Sequence, residues 1–475
     1  MIRSLLRIPA LVAVAAALVA CQLSPKPQAP RMEVPPKFKE SSGWKIAHPS
    51  DAASRGDWWR VFHDGDLDSI LKRIEVSNQS LQGAAAKAEQ SAALLKSAKL
   101  AFLPTASVTG SATRSKSGVS GGSSNINSLT SGGGTSAGSP RDIYSSSGSL
   151  GWEIDLWGRL RHSARAAMAD VEAAHSDVES TLLSLQTQAA QNYFSLRAAD
   201  AQRRLLEGEV ASYEKSLALT RNREKQGVAS KADVAQAETQ LANTHAALIE
   251  TGVQRATLEH ALATVTGRMP ADFSLKRDTL ASSIPSLPAA TPSTVLERRP
   301  DIAASERRVA AANERVGVAR AAFFPKLTLS ADKGWRGLTD LFAHANSFWS
   351  LGADVAEPIL DSGKRVAESE QAKATWRQSV ADYRQTVLTA MQEAEDALST
   401  LRILAQESAA QDEAVRAARD SERIARNQYE AGTLSYINVA IAQATALAAE
   451  RTAIDLRARR LAATVSLIKA LGGGW

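Results

Sequence analysis

The sequence is nearly without cysteine: Cys21 is its one thiol in 475 residues. A lone cysteine cannot form a disulfide within the chain. After residue 21 no apolar run approaches the ~18 residues of a transmembrane helix, so no such helix is predicted. Lys and Arg exceed Asp and Glu by only 6, and no dense basic run carries interleaved aromatic residues. The composition therefore gives no reason to expect a nucleic-acid partner.

Motifs for catalysis and metal binding are also missing. The seven histidines are scattered, none lies in H-E-x-x-H, and no complete G-x-x-x-x-G-K-[ST] loop occurs. Gly118 to Gly122 matches the hydrolase pattern G-x-S-x-G, but it lies in a Ser/Gly-rich stretch without a strand–elbow–helix context. Trp58 and Trp59 beside Phe62 indicate packing, with carbohydrate binding as the alternative. The sequence predicts no catalytic residue, no metal site and no cofactor.

The amino end is typical of a bacterial lipoprotein precursor. Arg3 and Arg7 precede an apolar stretch of signal-peptide length, and Leu-Val-Ala-Cys at 18–21 resembles a lipobox. We therefore expect residues 1–20 to be a signal peptide and Cys21 to carry covalent lipid, as diacylglycerol and an N-acyl chain such as palmitate. The alternative is an ordinary signal peptide with an incidental cysteine.

The second half of the chain repeats the first at an offset of 205 residues. RNREKQGVASKADVAQA around Gly227 matches RNQYEAGTLSYINVAIA around Gly432, and IDLWGR around Gly158 matches ILDSGK around Gly363. Residues 268–300 lie between the halves, carry five prolines and indicate a connector. The chain therefore contains two copies of one structural unit.

Each repeat predicts a long antiparallel helical hairpin. The intervals from Gly158 to Gly227 and from Gly363 to Gly432 contain no proline, and a helix over either would reach roughly 100 Å. Glycine suits each helix C-terminus. Ser230-x-x-Asp233 indicates the N-cap of the returning helix, and Ser435 repeats it. Apolar residues step by sevens, fours and threes along the two long helices, as in coiled coils: Val171, Val178, Leu182, Leu185, Ala189, Tyr193, Leu196; and Val380, Tyr383, Val387, Met391, Ala394, Leu398, Leu401.

Two strands are expected in each repeat, at about 105–157 and 326–358. Apolar and polar residues alternate there, as in TASVTGSATRS, DIYSSSGSLGWEIDLW, PKLTLSAD and WSLGADVAEP. A period of two with one modestly apolar face fits barrel strands between lipid and water, and a soluble sheet edge is the alternative. Four strands per chain are too few to close a barrel, and open edges cannot face lipid. Several chains must therefore pool their strands, and the helices would continue the cylinder as a duct.

Four stretches resemble the outer membrane factor family of the TolC/OprM/NodT type, the exit channels of tripartite efflux pumps. They are DWWRVFHDGDLDSIL (57–71), LERRPDIAASERRVAAANERVGVARAAFFPKLTLSA (296–331), YEAGTLSYINV (429–439) and the terminal LIKALGGGW. The resemblance covers nearly the whole chain after Cys21, and the lipobox fits the OprM branch.

The resemblance implies an α+β membrane protein that forms a homotrimer in the outer membrane and extends into the periplasm. Its implied parts are a 12-stranded transmembrane β-barrel with four strands per chain, a 12-helix α-barrel and a mixed equatorial domain. The implied partners are outer membrane lipid, a periplasmic adaptor (membrane fusion protein) and an inner membrane pump of the resistance-nodulation-division class. The corresponding segments are signal peptide (1–20), tether and equatorial segment (21–65), repeat 1 (66–267), connector (268–300) and repeat 2 (301–475).

The resemblance also assigns roles to residues near the helical tips. Family members constrict the duct there and open by an iris-like movement, often with acidic residues at positions that here are Asn438 and Ile441. Neither is acidic, so we expect an apolar constriction by Ile437 or Ile441, with packing of the helix pair as the alternative. Asp233 matches a latch position, with helix capping as the other role, but Leu434 stands where a basic partner is expected. The adaptor-contacting tips would be Gly227, Val228, Ala229, Ser230, Gly432, Thr433, Leu434 and Ser435.

Three other functions stay open at this point. The chain could be the exit duct of a type I secretion system, which uses the same kind of channel. It could be a lipid-anchored envelope enzyme, although the catalytic motifs are missing. A coiled-coil adhesin would require one unbroken heptad register, whereas strands interrupt both repeats here.

Overall fold

The computed structural model describes residues 56–116, 140–281, 283–285, 298–338 and 342–473. The predicted signal peptide and Cys21 lie outside the described residues. So do the tether up to residue 55, the G-x-S-x-G match, and residues 282 and 286–297 of the connector.

Helices make up most of the described chain. In chain order they are α1 (Gly65–Ser77), α2 (Gln79–Leu100), α3 (Arg159–Lys225), α4 (Lys231–Val265), α5 (Pro300–Ala321), α6 (Lys364–Glu430) and α7 (Tyr436–Ala470). Short 3-10 turns occupy Trp58–Phe62, Pro270–Asp272 and His344–Asn346. α3 and α6 have 67 residues each, and α4 and α7 have 35 each, so the internal repeat is preserved in helix length.

Four strands form one antiparallel sheet in the order in which they occur in the chain. They are β1 (Thr105–Ser115), β2 (Arg141–Ile154), β3 (Lys326–Gly337) and β4 (Ser347–Ala356). The register places Val108 opposite Gly148, and Leu150 opposite Ala331. Each repeat supplies one hairpin, and the β2–β3 ladder joins the two.

The sheet has one apolar and one polar face, as the alternation predicts. Val108, Leu150 and Leu351 fall on one face. Val108 lies opposite Gly148, which shares a face of β2 with Leu150. Leu150 lies opposite Ala331, which in turn lies opposite Leu351. On the other face Ser and Thr hydroxyls pair across β1 and β2: Ser107 with Ser149 at 2.7 Å, Thr109 with Ser147 at 3.1 Å, and Ser111 with Ser145 at 2.7 Å.

The chain divides into two compact units, and each contains parts of both repeats. One takes its described residues from Gln90–Val171 and Arg308–Ser379, and it includes the sheet. The loop between β2 and α3 is fixed there by Trp157, which stacks on Phe324 with ring centroids 4.7 Å apart and donates to the Pro325 carbonyl at 2.8 Å.

A buried histidine joins α3 to α5 in the same unit. The Nδ1 atom of His162 lies 2.6 Å from Oε2 of Glu314, and the His162 ring is almost fully buried. A Cβ atom added at Gly317 would lie only 2.8 Å from Cγ of His162. Glycine at 317 therefore gives the imidazole its space.

The other unit takes its described residues from Pro30–Glu89, Glu172–Arg307 and Val380–Trp475. Its largest core packs the Trp58–Phe62 turn against α3, with the rings of Phe62 and Phe194 4.9 Å apart. Trp58 donates to Gln186 at 3.1 Å, and Trp59 is 1% exposed. The carbohydrate-binding alternative for the two tryptophans is therefore wrong, because both rings are core residues.

A buried arginine holds this core to the segment after α4. Arg197 donates to Asp66 at 2.6 Å, to the Tyr193 hydroxyl at 3.0 Å and to the Lys276 carbonyl at 2.7 Å. Burial raises the pKa of the Tyr193 phenol well above its ordinary value. The buried guanidinium of Arg197 is tolerated because its hydrogen bonds are satisfied.

The predicted coiled-coil faces are the packed faces of the long helices. None of the fourteen residues named for them is exposed.

Among the described residues, no helix has both the length and the apolar content needed to cross a bilayer. Nor do the described ranges bring three or more His, Cys, Asp or Glu side chains together in a group that could hold a metal ion.

Candidate functional site at the helical tips

Both long helices end in the same glycine motif. In the first hairpin Gly227 has φ +71°, and the Val228 N–H donates to the Arg223 carbonyl at 2.8 Å. In the second, Gly432 has φ +80°, and the Thr433 N–H donates to the Gln428 carbonyl at 3.0 Å. This is the Schellman C-cap, which favours glycine because the left-handed conformation strains residues that carry a Cβ.

The returning helices begin differently from each other. At α4 the Asp233 N–H donates to the Ser230 hydroxyl at 3.1 Å, and the Ser230 N–H donates to the Asp233 carboxylate at 2.9 Å. This reciprocal capping box satisfies two backbone donors. At α7 the prediction that Ser435 repeats the cap is wrong for the side chain, which makes no cap bond. The cause is Asn438, whose amide donates to the Ser435 hydroxyl at 2.8 Å.

The predicted adaptor-contacting residues lie on the surface of the two turns. Gly227, Val228 and Ser230 are exposed in the first turn, and Ala229 is half-buried. In the second turn Gly432, Thr433 and Ser435 are exposed, and Leu434 packs against the core beneath.

The predicted gate residues share the exposed face of α7. Ile437 is 51% exposed and Ile441 is 60% exposed, and Asn438 is exposed between them. Within the chain these isoleucines therefore do not pack the helix pair. Asp233, the predicted latch residue, uses its carboxylate on the N–H and hydroxyl of Ser230.

The opposite face of α7 joins a small apolar core that links both tips. It contains Tyr429, Tyr436 and Val439 from the second hairpin, with Leu217 and Ala237 from the first. Burial raises the pKa of Tyr436 to about 12, and the neighbouring Tyr429 contributes a smaller part of this rise. The phenol of Tyr436 therefore stays neutral at physiological pH.

Arg223 ties the first hairpin to the end of α6. Its guanidinium donates to the Tyr429 carbonyl at 2.6 Å and lies 4.6 Å from the centroid of the Tyr429 ring. The last carbonyls of a helix have no partner within the helix, and a cation near them is favourable. Sequence reasoning missed this contact because the matching position in the second repeat is Gln428, so the repeat gave no signal.

A buried ionic cluster lies further along the same helices. Arg419 donates to Glu450 at 2.5 Å and lies 3.0 Å from Glu422 and 3.2 Å from Glu209. Burial raises the pKa of the Glu209 carboxyl although Arg419 attracts its charged form. The cluster joins α3, α6 and α7, and sequence reasoning did not identify it, since nothing in the local pattern of charges distinguishes it from a solvated helix face.

Comparison with known proteins assigns this architecture. The family model described as outer membrane efflux protein matches residues 70–268 and 291–473. The chain belongs to the outer membrane efflux protein family. The resemblance seen in the sequence is thereby confirmed, and this efflux protein is an outer membrane channel.

Relatives match the efflux protein over nearly their full length. The antibiotic efflux pump outer membrane protein ArpC of Pseudomonas putida is 30% identical over 463 residues, covering 96% of this chain and 93% of ArpC. The pyoverdine export outer membrane protein OpmQ of Pseudomonas aeruginosa is 32% identical over 467 residues, covering 96% and 95%. The solved outer-membrane channel OprN superposes with a TM-score of 0.84 at 26% identity, over 96% of this chain and all of that chain.

Proposed function

We propose that this efflux protein is the passive outer membrane duct of a tripartite pump, assembled as a homotrimer and catalysing no reaction. In this proposal three chains pool four strands each into a 12-stranded β-barrel, which a 12-helix α-barrel continues into the periplasm. A periplasmic adaptor docks on the tips, above an inner membrane pump of the resistance-nodulation-division class. The tips open by an iris-like movement.

The two free edges of the sheet carry the proposal of a shared barrel. Within the described ranges β1 pairs only with β2, and β4 pairs only with β3. An unpaired strand edge in hydrocarbon leaves each N–H and C=O without a partner, at a cost of several kcal/mol per group, order of magnitude. The β1 edge of one copy and the β4 edge of the next would satisfy each other.

Exposed apolar residues on the helices also support association of copies. Ile249 and Val253 project from α4, and Leu388 and Ile403 project from α6, each about half exposed or more. Large apolar side chains in such rows favour burial against another protein surface. Identical copies related by a closed rotation would bury all of them at once.

Substitutions on the two sheet faces test the barrel. Leu351→Arg places a charge on the apolar face, where lipid would meet it, and should abolish insertion into the outer membrane. Ser350→Arg, one residue earlier on the polar face, should insert normally. Equal insertion of both variants would contradict the barrel, and a monomeric mass in native mass spectrometry would contradict the trimer.

Conductance tests the duct itself. The purified protein in a planar bilayer should give discrete channels, and an envelope enzyme or an adhesin would give none. The two relatives are named for different cargoes, an antibiotic and pyoverdine, which supports a duct that leaves cargo choice to its pump. Co-purification of a pump that exports small molecules, rather than a protein-exporting transporter, would separate this proposal from the type I secretion alternative.

The gate and tip roles are part of the proposal. Ile437, Asn438 and Ile441 would line the constriction, because their face of α7 is exposed, and apolar narrowings gate by dewetting. Ile441→Asp should raise leak conductance. Cysteines placed at Ala229 and Leu434 should crosslink the adaptor. Crosslinks found only from residues near Trp58 would reject the tips as the docking surface.

Lipidation of Cys21 completes the proposal. Two or more acyl chains anchor a protein stably to a bilayer without spanning it. Cys21→Ser should abolish labelling by palmitate, and the pore should still assemble because strand pairing does not need the lipid. Acyl labelling that persists in the variant would contradict the assignment.

A further inference from the structure

Buried polar atoms without a hydrogen-bond partner gather near the tips. In the described part of the chain they belong to Tyr213, Arg223, Arg426, Tyr436 and Gln443. The amide of Gln240 approaches the Tyr213 hydroxyl. Buried polar groups in folded proteins are nearly always paired, and clustered exceptions need a reason.

Two neighbouring tyrosines show the contrast most directly. Tyr429 and Tyr436 pack edge to face with ring centroids 5.5 Å apart, and both are buried. The Tyr429 hydroxyl lies 3.1 Å from the Thr220 hydroxyl. The Tyr436 hydroxyl has no partner among the described residues. The two rings share one environment, but only one phenol is satisfied.

Gln443 is the strongest case. Gln443 is 0% exposed, and in the part of the chain that the structure describes neither its amide nitrogen nor its amide oxygen has a partner. It lies seven residues after Tyr436, on the same packed face of α7. An apolar residue of similar shape would fill this position without leaving a donor and an acceptor unpaired.

We propose that Gln443 and Tyr436 hold the packed tip of α7 in a metastable state and so set the equilibrium between packed and opened tips. Their polar groups gain hydrogen bonds only when α7 moves off the tip core and water or new partners reach them. The opened state is favoured by that difference, since an equilibrium shifts only through interactions that differ between its two states. The link to opening rests on the proposed function.

Hydrogen exchange of the full-length protein in detergent tests the packing. Gln443→Met and Tyr436→Phe remove unsatisfied groups and keep the shape, so amides of the first turns of α7 should exchange about tenfold more slowly. The matched controls remove satisfied groups. They are Tyr429→Phe and Gln411→Met, and the Gln411 amide donates to the Ala449 carbonyl at 2.8 Å. Each control should speed amide exchange locally. Unchanged or faster exchange in Gln443→Met and Tyr436→Phe would overturn the proposal.

Single-channel recording of the same variants tests the link to opening. Gln443→Met should lower the fraction of time spent in the open state about tenfold, in line with slower exchange. Slower exchange with unchanged gating would overturn the role of Gln443 in the equilibrium and leave the duct intact. If the wild-type protein itself does not conduct, the proposed function fails, and the exchange result still decides whether the tip is metastable.

Discussion

The guanidinium of Arg223, near the end of the first long helix, caps the end of the second through the Tyr429 carbonyl at 2.6 Å. The same group stacks on the Tyr429 ring. One side chain therefore fixes the position of one hairpin tip relative to the other.

Arg223→Met should loosen this junction. The variant keeps the aliphatic stem but loses a charged hydrogen bond, which we expect to cost about 1–2 kcal/mol. Hydrogen exchange at residues 426–436 should be faster by a corresponding factor of roughly ten. The control is Arg221→Met, which breaks an exposed ion pair with Glu238 at 2.7 Å and should change exchange little. Equal effects would show that Arg223 has no special role.

The two N-caps predict an asymmetry between otherwise matching helices. Ser230→Ala breaks the capping box of α4 and should cost about 1 kcal/mol. Ser435→Ala removes a hydroxyl that makes no cap bond to α7 and should cost clearly less. Exchange rates in the first turn of each helix measure both effects. A larger effect at Ser435 than at Ser230 would contradict the capping geometry.

The cluster around Arg419 predicts a pH dependence. The pKa of Glu209 is raised by burial, so the folded chain retains a proton that the unfolded chain releases. The stability from this group is present at low pH and is lost as pH rises from the ordinary glutamate pKa through the raised value. Glu209→Gln should remove that loss. The melting temperature of the variant minus that of wild type should therefore increase as pH rises from about 4 to 7.

The matched control for this profile is Glu207→Gln. Glu207 lies on the same helix in an exposed pair with Arg203 at 2.8 Å, and its replacement provides the baseline against which the Glu209→Gln profile is compared. Thermal melts of the detergent-solubilised protein measure both. If the melting temperature of Glu209→Gln falls relative to wild type as pH rises, the pKa of Glu209 is not raised in the folded chain.

Two helical glycines should respond oppositely to alanine. At Gly317 the new Cβ would lie 2.8 Å from the buried His162 ring, and we expect a loss of about 1–3 kcal/mol from overpacking. At Gly208 the Cβ meets nothing within 4 Å, so helix propensity should raise stability by about 0.5–1 kcal/mol. The melting temperatures of the two variants, compared with wild type, test both expectations. An unchanged melting temperature in Gly317→Ala would mean that the His162 imidazole can move aside.

Local patterns made much of the fold predictable. Strand alternation and the glycines at 227 and 432 act over a few residues, and the long intervals without proline permit unbroken helices, so the sequence located the sheet and both tips. The Ser435 prediction failed because the residue three positions later is Asn438 rather than an acid. The contacts of Arg223 and of His162 could not be predicted, since each joins residues far apart in sequence and neither has a counterpart in the other repeat.

The ladder between β2 and β3 is the long-range pairing of the sheet. Only residues 116–140 separate β1 from β2, and only 338–346 separate β3 from β4, so each hairpin closes locally. Residues 155–325 separate β2 from β3, and closing so long a loop is slow. Until β3 pairs with β2, the first hairpin keeps an open inner edge. A chain that stops before residue 326 would keep that edge and be prone to mispair.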